Sequence, residues 1–160
     1  MTKKEPKQSQ PENIATWNIY QKLQAVQEQV GELEKDKLNK FQNYKYVTEY
    51  DIFRAIRPLL DNHNLVLTFS DEINLATEST TLPLLQAEKL EKEWAVKYLK
   101  KMMLTNAENP ERQLTYYFWA CGQNTDLAKA KGSAETYAIK YFLQKFFLIP
   151  TSENLDPDSK

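Results

Sequence analysis

At 160 residues, with 41% hydrophobic and 12% aromatic content, the chain is long enough for one domain with a real core, and global disorder is excluded. A net charge of −1 excludes binding to nucleic acid by bulk charge alone, and a single cysteine, Cys121, excludes an internal disulfide and a cysteine-based zinc site. The charge is uneven, however: residues 61–93 carry seven acids against two lysines and residues 94–149 eight bases against four acids, so the C-terminal half suits an anionic partner bound in a salt-sensitive way.

Residues 1–12 read as a disordered, basic-polar arm, 13–150 as the folded domain, and 151–160 as a mobile acidic tail. The N-terminal lysines precede no apolar segment and no stretch approaches membrane-spanning length, so a cytoplasmic protein without a membrane partner is expected. A helical pattern starts near Ile14. Ile19, Leu23, Val26, Val30 and Leu33 fall on one face. That face is read as packing on the chain's own domain in preference to a seam with a neighbouring subunit, because two heptads are short for a coiled coil.

Tyr44 to Val47 is a short β-like stretch. Thr48 then caps a second helix, with Glu49 and Asp51 in its first turn and Asp51 at capping-box spacing. Ile52, Phe53, Ile56, Leu59 and Leu60 form its apolar face, Arg54 and Arg57 point outward, and Pro58 distorts the last turn. His63 reads as a turn or capping residue, and Leu65 to Phe69 as a buried strand. Residues 71–93 read as a long acidic connection with a short helix at 84–91. Two strands follow, Trp94 to Met103 and Leu114 to Cys121, joined by turn-rich residues 105–110 into a long antiparallel hairpin. Cys121 is expected to be a buried, inert thiol. Trp94, Phe118, Phe142 and Leu143 are expected in the core. The last element is a helix from Asp126 or Ser133 to Phe147, stopped by Pro150. Strands followed by helix indicate an α+β fold, an antiparallel hairpin or sheet packed with helices.

No P-loop occurs, and the chain has only three glycines. No clustered carboxylates of a metal-dependent nuclease and no nucleophilic triad can be assembled, so a non-enzyme without cofactor or metal is expected. What the chain offers instead is bases interleaved with aromatics: Lys97, Lys100 and Lys101 share a hairpin with Tyr98, Tyr116, Tyr117 and Trp119, and Lys140 and Lys145 share a helix with Tyr137 and Tyr141. Lysine gives phosphate a point charge and aromatic faces stack unpaired bases, which favours single strands over duplex. The run from Lys129 to Tyr141 adds small residues, Gly132 and Ser133, where a backbone can approach a ligand, and a helix start at Ser133 would offer unpaired N–H groups to phosphate. The expected groove lies between the hairpin and this helix start. Lys129, Lys131 and Lys140 hold phosphates, with N–H donors near Ser133 and Ala134. Lys97, Lys101 and Arg112 line the opposite wall, and Tyr137 or Tyr117 stacks bases.

Two blocks resemble the Erf (essential recombination function) family of bacteriophage single-strand annealing proteins. The first runs from Tyr44-Lys45-Tyr46-Val47 through Asp51–Leu60 to Leu65-Val66-Leu67. The second and more specific one is Lys129-Ala130-x-Gly132-Ser133-Ala134-x-Thr136-Tyr137-Ala138, followed by Lys140-Tyr141 and Leu143. Together with the hairpin, the resemblance spans roughly residues 14–150. It departs at Lys140, where the family usually has Arg, so charge is kept but forked phosphate contacts are lost. It implies a β-β-β-α annealing-protein core, homo-oligomeric rings or helical filaments, and ATP-independent annealing of single-stranded DNA in phage recombination within a bacterial host. It also implies a single-strand-binding protein or a phage exonuclease as protein partners. The residues it points to for DNA are those of the motif, Thr136 included. A non-catalytic recombination or replication adaptor and an RNA-binding module remain the alternatives.

Overall fold

The protein's structure is a computed structural model that describes residues 14–35, 37–39, 43–72, 74–76, 81–83 and 85–151. The expected arm at 1–12, and the expected tail beyond Thr151, lie outside these residues. After one 3-10 turn, Ile14–Thr16, helix α1 (Ile19–Gln29) starts with a capping box. Asn18 Oδ1 accepts from the N–H groups of Tyr20 and Gln21 at 2.9 and 3.0 Å, and the Gln21 side chain accepts from Asn18 N–H. That polar cap sets the start at Ile19 and not at Ile14. Ile19, Leu23 and Val26, with Val30 just past the helix end, are buried in the chain's own core. The apolar stripe is thus internal. Lys22 on the same helix is fully buried: its ammonium donates to Asn106 Oδ1 at 2.9 Å and pairs with Glu108, which ties α1 to a distant turn.

Strands β1 (Lys37–Asn39) and β2 (Tyr44–Tyr46) form a small antiparallel ribbon. Helix α2 (Glu49–Asn62) carries the expected Thr48/Asp51 capping box and buries Ile52, Ile56 and Leu60, leaving Arg54 and Arg57 exposed. Phe53, half-way round the helix, is 37% exposed. His63 is the C-cap: its N–H donates to the Leu59 and Leu60 carbonyls and its Nδ1 lies 2.8 Å from Leu59 O.

The main sheet contains β3 (Leu65–Glu72), β6 (Leu85–Lys89), β7 (Trp94–Asn106) and β8 (Gln113–Asn124), all antiparallel about β7. β3 and β6 lie end to end on one side of β7. Glu72 pairs with Leu99 and Leu85 with Tyr98, so β6 takes up the pairing on β7 where β3 leaves it. Between them in sequence, β4 (Asn74–Ala76) pairs with β5 (Thr81–Pro83). The described residues of the acidic segment are therefore mainly strand, and β6 stands where the helix at 84–91 was expected. Helix-favouring Gln, Ala, Glu and Lys residues are overridden there by the vacant hydrogen-bonding side of β7. The hairpin reading of 94–121 holds, and both strands run a few residues longer.

Helix α3 (Leu127–Phe146) lies across β8 and β7. Tyr98, Met102 and Leu104 of β7 and Ala120 of β8 are fully buried; Ala130 and Ala134 of α3 cluster with Tyr98 and Ala120, and Leu143 of α3 and its C-cap Phe147 with Met102 and Leu104. Phe118 stacks on Phe142 at 4.1 Å. Trp94, Phe118 and Phe142 are only partly buried, Leu143 wholly. The described helices all cover the same face of the sheet, and β8 has no strand on its outer side among the described residues.

Candidate nucleic-acid interface

Strand parity divides the hairpin's side chains between the two faces. Lys97, Leu99, Lys101 and Met103 of β7 and Thr115, Tyr117, Trp119 and Cys121 of β8 point away from the helices. Tyr117 and Trp119 are 55% and 50% exposed, and the Lys97 ammonium sits 4.6 Å from the Trp119 ring centroid. Cys121 is exposed, contrary to the buried thiol expected from its apolar neighbours, because β8 is an outer strand and this face carries no helix. Lys101 leans toward Glu72 at 3.7 Å. Arg112 lies in the β7–β8 turn, about 30 Å from Lys97 along the strand.

On the other side of the sheet, the start of α3 is fixed by Asp126, whose Oδ1 accepts from Lys129 N–H at 2.9 Å. Ser133 and Ala134 are the seventh and eighth residues of the helix, past the first turn in which N–H groups lack intrahelical partners. The backbone donors expected at Ser133 and Ala134 are thus consumed by the helix, and Ser133 Oγ donates back to Ala130 O at 3.0 Å. The small residues have a packing cause that involves another glycine. A Cβ on Gly122 of β8 would lie 2.6 Å from Ala130 O and 2.9 Å from Ala134 Cβ. Ala130 and Ala134, one turn apart and fully buried, let α3 settle onto bare backbone. Gly132 faces solvent, with nothing within 4 Å of where its Cβ would stand.

Lys131, one of the expected phosphate ligands, is engaged within the fold. Lys131 pairs with Asp71 at 2.8 Å and Glu135 at 3.1 Å, and lies over the Tyr98 ring at 4.6 Å. Lys100, only 3% exposed, bonds the same two carboxylates at 2.7 and 2.9 Å. Two lysines and two acids thus bolt α3 to β3 and β7. Burial works against the charge on Lys131, yet the hydrogen bonds from both acids outweigh it and hold its pKa well above the lysine range. Bonds from Lys100, then from Lys131, hold Glu135 low despite burial, and the same lysines overcome burial at Asp71. Burial, then the Glu135 charge, pushes Glu49 up. The Tyr98 hydroxyl is buried with no hydrogen-bond partner among the described residues, and burial raises its pKa.

Lys140 is likewise withdrawn, at 5% exposure, with its ammonium 4.6, 4.7 and 5.2 Å from the ring centroids of Tyr137, Tyr141 and Tyr46. Tyr137 and Tyr141 stack on each other at 6.0 Å and remain 43% and 51% exposed. The expected single groove, with Lys97, Lys101 and Tyr117 facing Lys129, Lys131 and Lys140, does not form, because the sheet stands between the two sets. A different groove of ≈ 450 Å³ runs along the outer edge of β8. Trp119, Phe118 and Cys121 form one wall, and Tyr137, Tyr141, Phe142 and Lys145 the other. It brings Tyr137 beside Trp119 and places Tyr117 and Lys97 on the adjoining surface. Lys129 and Thr136 are exposed nearby on α3.

Of the groove residues, the sequence reading named only Tyr137 for its site and left out Trp119, Tyr141 and Lys145 among others. A signal for them exists. Lys129, Ser133, Tyr137, Tyr141 and Lys145 recur every four residues, and Tyr117 and Trp119 share strand parity. Arg112, Lys129 and Lys145 make no ion pair among the described residues, where no group of three or more His, Cys, Asp or Glu could hold a metal. No described helix is long and apolar enough to cross a membrane.

A family model described as the ERF superfamily matches residues 19–160. No curated protein matches the sequence.

Proposed function

Because this chain belongs to the ERF superfamily, we propose that it binds single-stranded DNA and anneals complementary strands without ATP, as part of phage recombination in a bacterial cell. The observation that carries the reading is the β8–α3 groove, where Trp119, Tyr137 and Tyr141 are exposed between the cations Lys97 and Lys145. Stacking on such rings is indifferent to base identity and contributes about 1–3 kcal/mol per base. That suits an annealing protein, which must hold any sequence and leave its pairing edges free. Lys129 and Gly132 extend the track toward the start of α3, where a strand could approach the helix backbone without meeting a side chain. Tyr117 and Lys97 extend it onto the uncovered face. Lys131, Ser133 and Ala134 support this surface without touching the strand.

The surface is small and has few unpaired cations, so one copy binds weakly. Assembly into a ring or helical filament multiplies such sites along one strand, and residues 65–146, strands β3 to β8 followed by α3, are the unit that repeats. The test is annealing of complementary fluorescent oligonucleotides without ATP, comparing wild type with Trp119→Ala and Lys145→Ala. Wild-type annealing with at least about ten-fold loss in Trp119→Ala is expected. No annealing by the wild type favours an adaptor role, and preference for RNA in competition favours an RNA-binding module. Full activity in both variants removes the groove from the reading.

A further inference from the structure

The position of Lys140 conflicts with the simplest role for a lysine in a DNA-binding motif. Its ammonium is packed against three tyrosine rings and withdrawn from the surface, at 4.6–5.2 Å from their centroids. Tyr137 and Tyr141 belong to the groove, whereas Tyr46 comes from the β1–β2 ribbon and lies outside its lining. A cation against the face of an aromatic ring is held by the ring's quadrupole, and desolvation strengthens that attraction. One ammonium shared by three rings therefore fixes their relative orientation. The two outer rings are left stacked at 6.0 Å with an interplanar angle of 27° and half exposed.

Building on the single-strand reading above, we propose that Lys140 is a positioning residue: its buried ammonium holds Tyr137 and Tyr141 in the orientation that receives bases, and it does not contact phosphate. A tyrosine free to swing loses rotamer entropy each time a base lands on it, and a ring already held loses little. This assigns Lys140 and Tyr46 to DNA binding through the rings between them and the strand.

The roles separate by salt dependence. A phosphate contact to single strands contributes about 0.7 to the slope of log affinity against log salt, and a positioning residue contributes none. Oligo-dT binding by fluorescence anisotropy over a salt series is therefore measured for wild type, Lys140→Met, Lys140→Arg and Tyr46→Leu. Lys140→Met is expected to bind about ten-fold more weakly with the slope unchanged. Lys140→Arg, which retains a cation for the rings, is expected within about two-fold of wild type. Tyr46→Leu, remote from the strand, should weaken binding with the slope intact and serves if Lys140→Met does not fold. A slope lower by about 0.7 in Lys140→Met, unchanged affinity, or failure of arginine to restore binding overturns the proposal. Near-ultraviolet circular dichroism reads the rings without DNA. An unaltered tyrosine signal in Lys140→Met overturns the positioning role, whereas absence of wild-type binding overturns the single-strand reading instead.

Discussion

The same substitution, glycine to alanine, is expected to have opposite signs at two positions that look alike in the sequence. At Gly122 a Cβ would stand 2.6 Å from Ala130 O and 2.9 Å from both Ala134 N and Ala134 Cβ. Two of these three atoms are backbone inside a helix, so none can rotate aside. The helix must lift from β8, near the Lys100–Asp71–Lys131–Glu135 network. Overpacking costs about 1–3 kcal/mol, and the rigid neighbours place Gly122→Ala at the upper end. For a domain of this size that lowers Tm by roughly 6–12 °C. At Gly132 nothing lies within 4 Å, the site is inside α3, and alanine avoids a glycine cost of about 1 kcal/mol. Gly132→Ala is therefore expected to raise Tm by roughly 2–4 °C. If the strand approaches the helix here, the same variant binds oligo-dT more weakly while being more stable. Urea unfolding followed by far-ultraviolet circular dichroism, with thermal melts alongside, measures both. A neutral Gly122→Ala or a destabilised Gly132→Ala would refute the packing argument, because each would place the close approach at the wrong glycine.

Asp71 and Glu135 are held below their ordinary values of 3.8 and 4.5, so their contribution is complete above those values and lost as pH falls below them. Lys100 and Lys131 are held above 10.5, so theirs is complete below that pH and lost above it. Glu49, raised above 4.5, opposes the acid loss because it protonates first in the folded state. Urea midpoints across pH should show a plateau between about pH 5 and 10, with an acid limb that flattens in Lys100→Met; an identical limb in that variant counts against the network. Leu148 has φ 52° in the cap after α3 and is 67% exposed, so Leu148→Gly should stabilise by about 1 kcal/mol, read as a higher urea midpoint. Lys129→Ala should lower the salt slope of DNA binding by about 0.7 without moving Tm. Lys131→Ala should lower Tm, with about 1 kcal/mol lost at half-exposed pairs, and leave that slope unchanged. The reverse pattern would return Lys131 to the phosphate track.

The α+β class, the Thr48/Asp51 cap, the burial of Ile19, Leu23 and Val26, the capping role of His63 and the long hairpin were all legible in the chain, because each depends on neighbours a few residues apart. Polar caps, i to i+4 stripes and strand alternation are local rules, and they were obeyed. The lysine-, glycine- and tyrosine-rich motif that carried the family resemblance was legible in the same way. Which of its residues face outward was not. Of the two helix starts the sequence offered, Asp126 and Ser133, Asp126 captures the first turn. Gly132 attracted attention although the glycine under close approach is Gly122, on another element. Lys131 and Lys140 looked like phosphate ligands until Asp71, from β3, and Tyr46, from β2, came within reach of them. The helix expected at 84–91 became β6 once β7 offered an open side. For Lys131 and Lys140 the deciding atoms lie far away in sequence, on elements that only the tertiary fold brings alongside. Sequence determined what most segments are, because caps and side-chain periodicity are local, and the packing of α3 on the sheet determined which of its side chains remain exposed.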